Sequence, residues 1–176
     1  MKTRNSRALW SRVLVVLGSI AMVIGGIDPM EGSFIILPGS LLVALGTWLG
    51  LSERRLIAYR VAVLILIAIG VGALWALSAV GGFGGSSGLS MWWGVFILPY
   101  LIGWSMGMWG PGSPRWLLVS GIGVGLWYLA ILMMVFRNPN IPGDSMPGLV
   151  IGGIGLLTIA GCLYRFLNRH APIKPS

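Results

Sequence analysis

Charged residues are scarce in this chain, at 9% of its 176 residues, whereas a typical soluble domain has about 25%. Apolar residues make up 56% of the sequence. A water-soluble fold of this size cannot cover its surface with so few charges. The composition therefore excludes an ordinary soluble domain and predicts a protein whose surface faces lipid.

The residues that carry most catalytic and metal chemistry are also few. The chain has four acidic residues, one histidine and one cysteine, so an intrachain disulfide and a cysteine-based or two-histidine metal centre are excluded. Cys162 lies in an apolar run, which is typical of a small buried residue. No motif of the nucleophile-elbow, phosphate-loop or zinc-ligand kind is present in the sequence. We therefore expect a protein that is not an enzyme and holds no cofactor.

Long apolar runs are what the sequence has instead. A bilayer-spanning helix needs about 20 mostly apolar residues. Six segments meet or approach this length, at about 9–27, 34–51, 56–80, 91–109, 116–136 and 147–167. The sequence predicts an all-α membrane protein with six transmembrane helices, in one domain covering 1–176. Gly- and Pro-rich breaks after every odd-numbered segment predict three helical hairpins, at about 9–51, 56–109 and 116–167.

The charges predict the orientation of these helices. Eleven of the twelve basic residues fall in breaks on one side of the predicted membrane, and three of the four acids fall on the other. Basic residues in short loops mark the cytoplasmic side. Both termini are therefore predicted to be cytoplasmic. The net charge of +8 is interpreted as topology and attraction to anionic lipids rather than as nucleic-acid binding.

Eight residues are candidate contacts for a partner or a lipid. Ionisable residues near a membrane suggest function by default, and tryptophan is enriched at membrane interfaces. The alternative for the carboxylates is capping of a helix N-terminus, and for the arginines it is membrane anchoring. The candidates are Asp28, Glu31, Arg12, Arg54, Arg55, Arg60, Trp92 and Trp93. For three deeper tryptophans core packing is favoured, and the alternative is that they face a partner or a bound lipid or pigment: Trp75, Trp104 and Trp127.

Glycines four residues apart predict close helix packing. Such spacing places both glycines on one helical face, where two backbones can approach each other. The packing would be within the bundle or against a partner. The pairs are Gly46 and Gly50, Gly103 and Gly107, Gly121 and Gly125, and Gly148 and Gly152.

Prolines in the second helix of each hairpin suggest an internal repeat. A glycine follows eight residues after each of Pro38, Pro99 and Pro147. The alternative is coincidence, because glycine is abundant in this chain. Pro38 and Pro99 are predicted to lie within helices, where each removes a backbone donor and can kink the helix.

Two stretches resemble a family of small uncharacterised bacterial membrane proteins. The first is Gly-Ile-Asp-Pro-Met-Glu-Gly-Ser at 26–33, continuing Phe-Ile-Ile-Leu-Pro-Gly-Ser at 34–40. The second is Gly-Gly-Phe-Gly-Gly-Ser-Ser-Gly at 81–88, followed by Met-Trp-Trp-Gly at 91–94 and Ile-Leu-Pro-Tyr at 97–100. The likeness covers about residues 20–109. It implies a bacterial membrane location and supplies no activity.

Three functions compete at this stage. The scarcity of catalytic groups favours an accessory or scaffolding subunit that packs against a larger membrane complex, with other membrane subunits as partners. The proline-containing helices and the suggested repeat leave open a small transporter or channel for an uncharged or lipid-like solute. A lipid-modifying enzyme would need polar residues that converge at the membrane interface, and the sequence offers few.

Overall fold

The computed structural model describes residues 2–26, 31–82, 87, 89–137, 139–140 and 142–169, with the backbone alone for 2–5 and 167–169. All regular structure over these residues is helical. A 3₁₀ helix, Met91–Ile97, leads directly into α4. The α-helices are α1 (Lys2–Gly25), α2 (Ser33–Leu49), α3 (Arg54–Ala79), α4 (Leu98–Trp109), α5 (Arg115–Val135) and α6 (Met146–Arg169).

These helices are compatible with a multi-pass membrane protein. Within the described ranges, five helical spans are long and apolar enough to cross a membrane, with the 3₁₀ helix and α4 counted as one span. The sixth, α2, is equally apolar in character but has only 17 residues. The all-α prediction is confirmed over the described chain, and the number of membrane crossings is considered below.

The fourth predicted segment differs from a continuous α-helix. Pro99 lies within the helical span Met91–Trp109 as predicted, but as the second residue of α4 it stands where the 3₁₀ helix changes to an α-helix rather than in an α-helix interior. Proline has no backbone N–H and cannot donate the i to i−4 bond of an α-helix. The chain therefore winds as a 3₁₀ helix up to Ile97, and the α-helix begins where proline is tolerated. Pro38, in contrast, does lie inside α2.

By packing, the chain divides into two compact units: residues 1–81 with 95–112, and residues 82–94 with 113–176. Unit 1 contains α1 to α4, where α1 packs on α2, α2 on α3, and α3 on α4. Unit 2 contains the pair α5 and α6. The helix pairs follow the three predicted hairpins. The single transmembrane domain stays a prediction.

The pair α1 and α2 meets along a seam of small residues spaced seven apart. Ser11 donates a hydrogen bond of 2.7 Å from its Oγ to the Gly46 carbonyl. A Cβ added at Gly18 would lie 2.5 Å from the Gly39 carbonyl oxygen. The two backbones are thus in direct contact, which only small residues allow. The members of this small-residue seam are Ser11, Gly18 and Gly25 on α1, opposite Gly46, Gly39 and Gly32 respectively.

In the pair α3 and α4, glycines instead pack against large residues of the facing helix, in contact with both their side chains and their backbone. A Cβ at Gly70 would collide with the Cβ, N and Cα of Tyr100. A Cβ at Gly103 would lie 3.0 Å from the backbone nitrogen of Ile67. Tyr100 and Ile67 are both buried. The predicted close packing at Gly103 and Gly107 therefore lies within the bundle.

The pair α5 and α6 in unit 2 also meets at glycines. A Cβ at Gly155 would lie 2.9 Å from the Gly123 carbonyl oxygen, and a Cβ at Gly123 would lie 3.2 Å from the Gly155 carbonyl oxygen. Gly148 and Gly152 face Ala130 in the same way. Gly123, which meets α6, lies between the members of the predicted pair Gly121 and Gly125.

Candidate functional site

The structure places the predicted contact residues in separate positions. In unit 1, Glu31 lies two residues before the first residue of α2, whereas Arg54 and Arg55 are the first two residues of α3, beyond the other end of α2. Asp28 lies outside the described residues. The exposed members of the described set are Arg12, Glu31, Arg54, Arg55, Trp92 and Trp93. Only Arg60 is partly buried.

Arg60 holds the end of α4. Its Nη1 donates a 3.1 Å hydrogen bond to the Gly107 carbonyl, and the neighbouring Tyr59 hydroxyl donates a 2.6 Å bond to the Met106 carbonyl. The last carbonyls of a helix have no partner within the helix and carry partial negative charge. Gly110 then ends α4 with φ of 71°, a conformation that glycine adopts without cost. The guanidinium therefore acts as a cap inside unit 1.

Asp144 has a corresponding role in unit 2. Its side chain is 3% exposed, and its Oδ1 accepts a 2.9 Å hydrogen bond from the Met91 backbone N–H. Met91 begins the 3₁₀ helix, so the carboxylate satisfies an N–H at a helix start. The bond ties the segment that carries Trp92 and Trp93 to the loop before α6. This bond could not be predicted from the sequence, because the two residues are 53 positions apart.

An open groove of about 490 Å³ lies where α2 begins and α3 ends. Its lining is Glu31, Phe34, Trp75, Ser78 and Ala79. The rings of Phe34 and Trp75 stack with centroids 5.3 Å apart and an interplanar angle of 33°. The Trp75 indole Nε1–H donates a 3.1 Å hydrogen bond to the Ser33 hydroxyl. We call these five lining residues the Glu31 groove.

Trp75 corrects one of the core predictions. Its side chain is 45% exposed and forms a wall of the Glu31 groove. Trp127 is also exposed, at 44%, so core packing is wrong for both. Only Trp104 behaves as predicted: it is partly buried and its Nε1 donates to the Met22 carbonyl at 3.3 Å. The helical period alone does not distinguish a core tryptophan from one that faces lipid.

The Glu31 groove combines one carboxylate and one hydroxyl with aromatic and apolar walls. Such a site can attract a cation through the carboxylate and through the faces of the rings. Among the described residues, no group of three or more His, Cys, Asp or Glu side chains is placed to hold a metal ion.

Comparison with known proteins gives no match: no family model, no curated protein and no solved structure is significantly similar to the chain.

Proposed function

We propose that this protein is a non-enzymatic membrane subunit that serves as an accessory or scaffolding component of a larger membrane complex. The observation that carries the proposal is the use of its polar side chains. Within the described residues, they donate mainly to backbone carbonyls rather than to one another at a reaction centre. Four of these donors join two helices, and the other four bond to the preceding turn of their own helix. The donors are Ser11, Ser40, Thr47, Tyr59, Arg60, Trp104, Ser120 and Thr158.

Close helix packing favours this role over the alternative, a small transporter or channel for an uncharged or lipid-like solute. A solute path needs space between helices. Where α1 meets α2, where α3 meets α4 and where α5 meets α6, an added Cβ would collide with the facing helix. The helix pairs are therefore suited to a rigid framework.

The partner surface in this proposal is the exposed pair Trp92 and Trp93. These adjacent side chains are 50% and 47% exposed, and the bond between Asp144 and Met91 fixes the start of their segment. Tryptophan is the residue most enriched where binding energy concentrates in protein interfaces. A rigid segment that presents two such rings loses little conformational freedom on binding.

Purification from the native membrane in mild detergent tests this role. We expect the tagged chain to elute with stoichiometric membrane protein, well above the size of an 18.8 kDa monomer in its micelle. Replacing both Trp92 and Trp93 with alanine should lower the partner yield at least tenfold, because an interfacial tryptophan can contribute about 2 kcal/mol or more. Quantitative mass spectrometry of the eluate measures the ratio.

The matched control is Trp127→Ala, which removes a similarly exposed tryptophan from α5. It should leave the partner yield unchanged. A wild-type chain that elutes alone as a monomer would contradict the subunit role. Equal losses for the control and the double variant would contradict the assignment of the surface.

Six membrane crossings, with both termini in the cytoplasm of a bacterium, complete the proposal. The basic ends of the helices support this orientation, and the family resemblance over about 20–109 supports the bacterial inner membrane. The uncertain crossing is α2, whose 17 residues span about 25 Å against a hydrocarbon core of about 30 Å. Its contacts along the small-residue seam with α1 favour a full crossing, because α1 is long enough to span.

Cysteine labelling in intact cells distinguishes six crossings from five. In a Cys162→Ala background, we expect Asn140→Cys to react with an impermeant maleimide from the periplasmic side. Ser52→Cys, in the break between α2 and α3, should react only after lysis. If α2 did not cross, every later loop would change sides, and the two labelling patterns would be reversed.

A further inference from the structure

The Glu31 groove has the features of a site for a positively charged group. Glu31 is an exposed acid in a chain with net charge +8, and three residues further on Phe34 stacks against Trp75. Ammonium groups are attracted by aromatic faces and form charge-assisted hydrogen bonds with carboxylates. We propose that this groove binds the ammonium headgroup of a zwitterionic phospholipid.

The aromatic wall of the groove is held in place before any ligand arrives. Ser33 is fully buried, at 0% exposed, and its hydroxyl accepts the bond from Trp75 Nε1. This bond fixes the indole ring across two helices, and the ring in turn supports Phe34. A cation that reaches the rings therefore meets a surface already arranged for it, which lowers the cost of binding.

A lipid, rather than a soluble cation, fits the rest of the groove. Phe34 is 72% exposed, and it lines the groove together with the apolar surfaces of Trp75 and Ala79. An ammonium group alone would leave the apolar walls uncovered. The headgroup and upper acyl chain of a phospholipid would cover them, at the helix ends where aromatic residues meet headgroups. The volume of about 490 Å³ is in the range of small-molecule sites.

Native mass spectrometry of the full chain in detergent tests the site with defined lipids. The probe is a phosphatidylethanolamine, and affinities are compared between wild type and single variants. We expect Glu31→Gln to weaken binding about tenfold, as for loss of a charge-assisted contact. Phe34→Leu should weaken binding about threefold, because it removes one aromatic face. Both side chains are exposed, so the variants should fold, which circular dichroism verifies.

The control variant is Glu53→Gln, which removes an exposed acid before the opposite end of α3 and should bind phosphatidylethanolamine like wild type. Phosphatidylglycerol with the same acyl chains is the lipid control. It is expected to bind at the basic helix ends, with an affinity that Glu31→Gln does not change.

Two results would overturn the proposal. The first is an unchanged affinity of the Glu31→Gln variant for phosphatidylethanolamine. The second is complete displacement of the lipid by an equimolar amount of glycerophosphoethanolamine, the same headgroup without acyl chains, which would make the ligand a soluble ammonium compound. Both tests use the purified chain, so their outcome is independent of the partner and orientation proposed above.

Discussion

Gly70→Ala is expected to lower the free energy of unfolding of unit 1 by about 2–3 kcal/mol. A Cβ at this position in α3 would collide with the backbone nitrogen and Cα of Tyr100 in α4. A different rotamer of the tyrosine side chain cannot relieve a clash with its backbone atoms, so the two helices must separate. Tyr100 is 2% exposed, and the separation would loosen the core around it.

Gly72→Ala is the matched control on the same helix. A Cβ at Gly72 meets nothing within 4 Å, and alanine favours the helix interior over glycine by up to about 1 kcal/mol. We expect this variant to unfold at the wild-type midpoint or slightly above it. Detergent-solubilised protein unfolded by heat or by SDS, and followed by near-UV circular dichroism, gives both midpoints. Equal midpoints for the two variants would mean that α3 and α4 do not meet closely at Gly70.

The helix positions could be predicted from the sequence because the bilayer requires long apolar runs. In all six predicted segments, the observed helix begins and ends within a few residues of the predicted bounds, apart from the start of α1. In the fourth segment this agreement holds when the 3₁₀ helix and α4 are counted together. The sequence has no helix-breaking residue between Lys2 and Leu9, so α1 continues through its charged start. Hydropathy predicts the apolar part of a helix. The helix itself can continue into polar residues until the backbone leaves the helical conformation.

Five of the six members of the small-residue seam escaped prediction for a physical reason. A spacing of four residues between glycines predicts close packing, and among the seam members it selects only Gly46, in its pair with Gly50. The seam between α1 and α2 uses spacing of seven, as in Gly18 and Gly25, which is also one face of a helix. The spacing is visible in the sequence, but the antiparallel register that brings Gly18 against Gly39 depends on the length of the turn between the helices.

The Glu31 groove could be predicted only in part. Glu31 is a candidate because an ionisable residue near a membrane suggests function, whereas for Trp75 the sequence favours the core over a partner or a bound lipid. The indole and its partner Ser33 are 42 residues apart, so their contact follows from the packing of α3 on α2. The type of each residue can be read from the sequence, but which residues of another helix it contacts cannot.

The glycines of the suggested repeat have similar but not identical surroundings in the three hairpins. Each has a neighbour in the preceding helix of its own hairpin: Ser11 of α1 for Gly46, Val63 of α3 for Gly107 and the Gly123 backbone of α5 for Gly155. Gly107 differs because its nearest neighbour is Met22 of α1. Pro99 and Pro147 are the second residues of α4 and α6, whereas Pro38 is the sixth residue of α2. Common ancestry of the hairpins stays a prediction, and the shared packing role of the glycines can be tested directly.

Gly155→Leu is expected to destabilise the pair α5 and α6 by about 3 kcal/mol. Already the first added carbon would lie 2.9 Å from the Gly123 carbonyl oxygen and 3.0 Å from the Trp127 backbone nitrogen. A leucine side chain also needs space for three further carbons, which the facing backbone does not leave. The helices would have to separate along the part of their length where they are closest.

Gly153→Leu provides the comparison, two residues earlier in α6. A Cβ there meets nothing within 4 Å, and the exposed Leu156 and Leu157 show that leucine suits the outward surface of this helix. We expect Gly153→Leu to match wild type in SDS-induced unfolding, while Gly155→Leu unfolds at a lower SDS fraction. If both leucines were tolerated equally, α5 and α6 would not be held together by glycine contact, and the framework role of the hairpins would lose its structural basis.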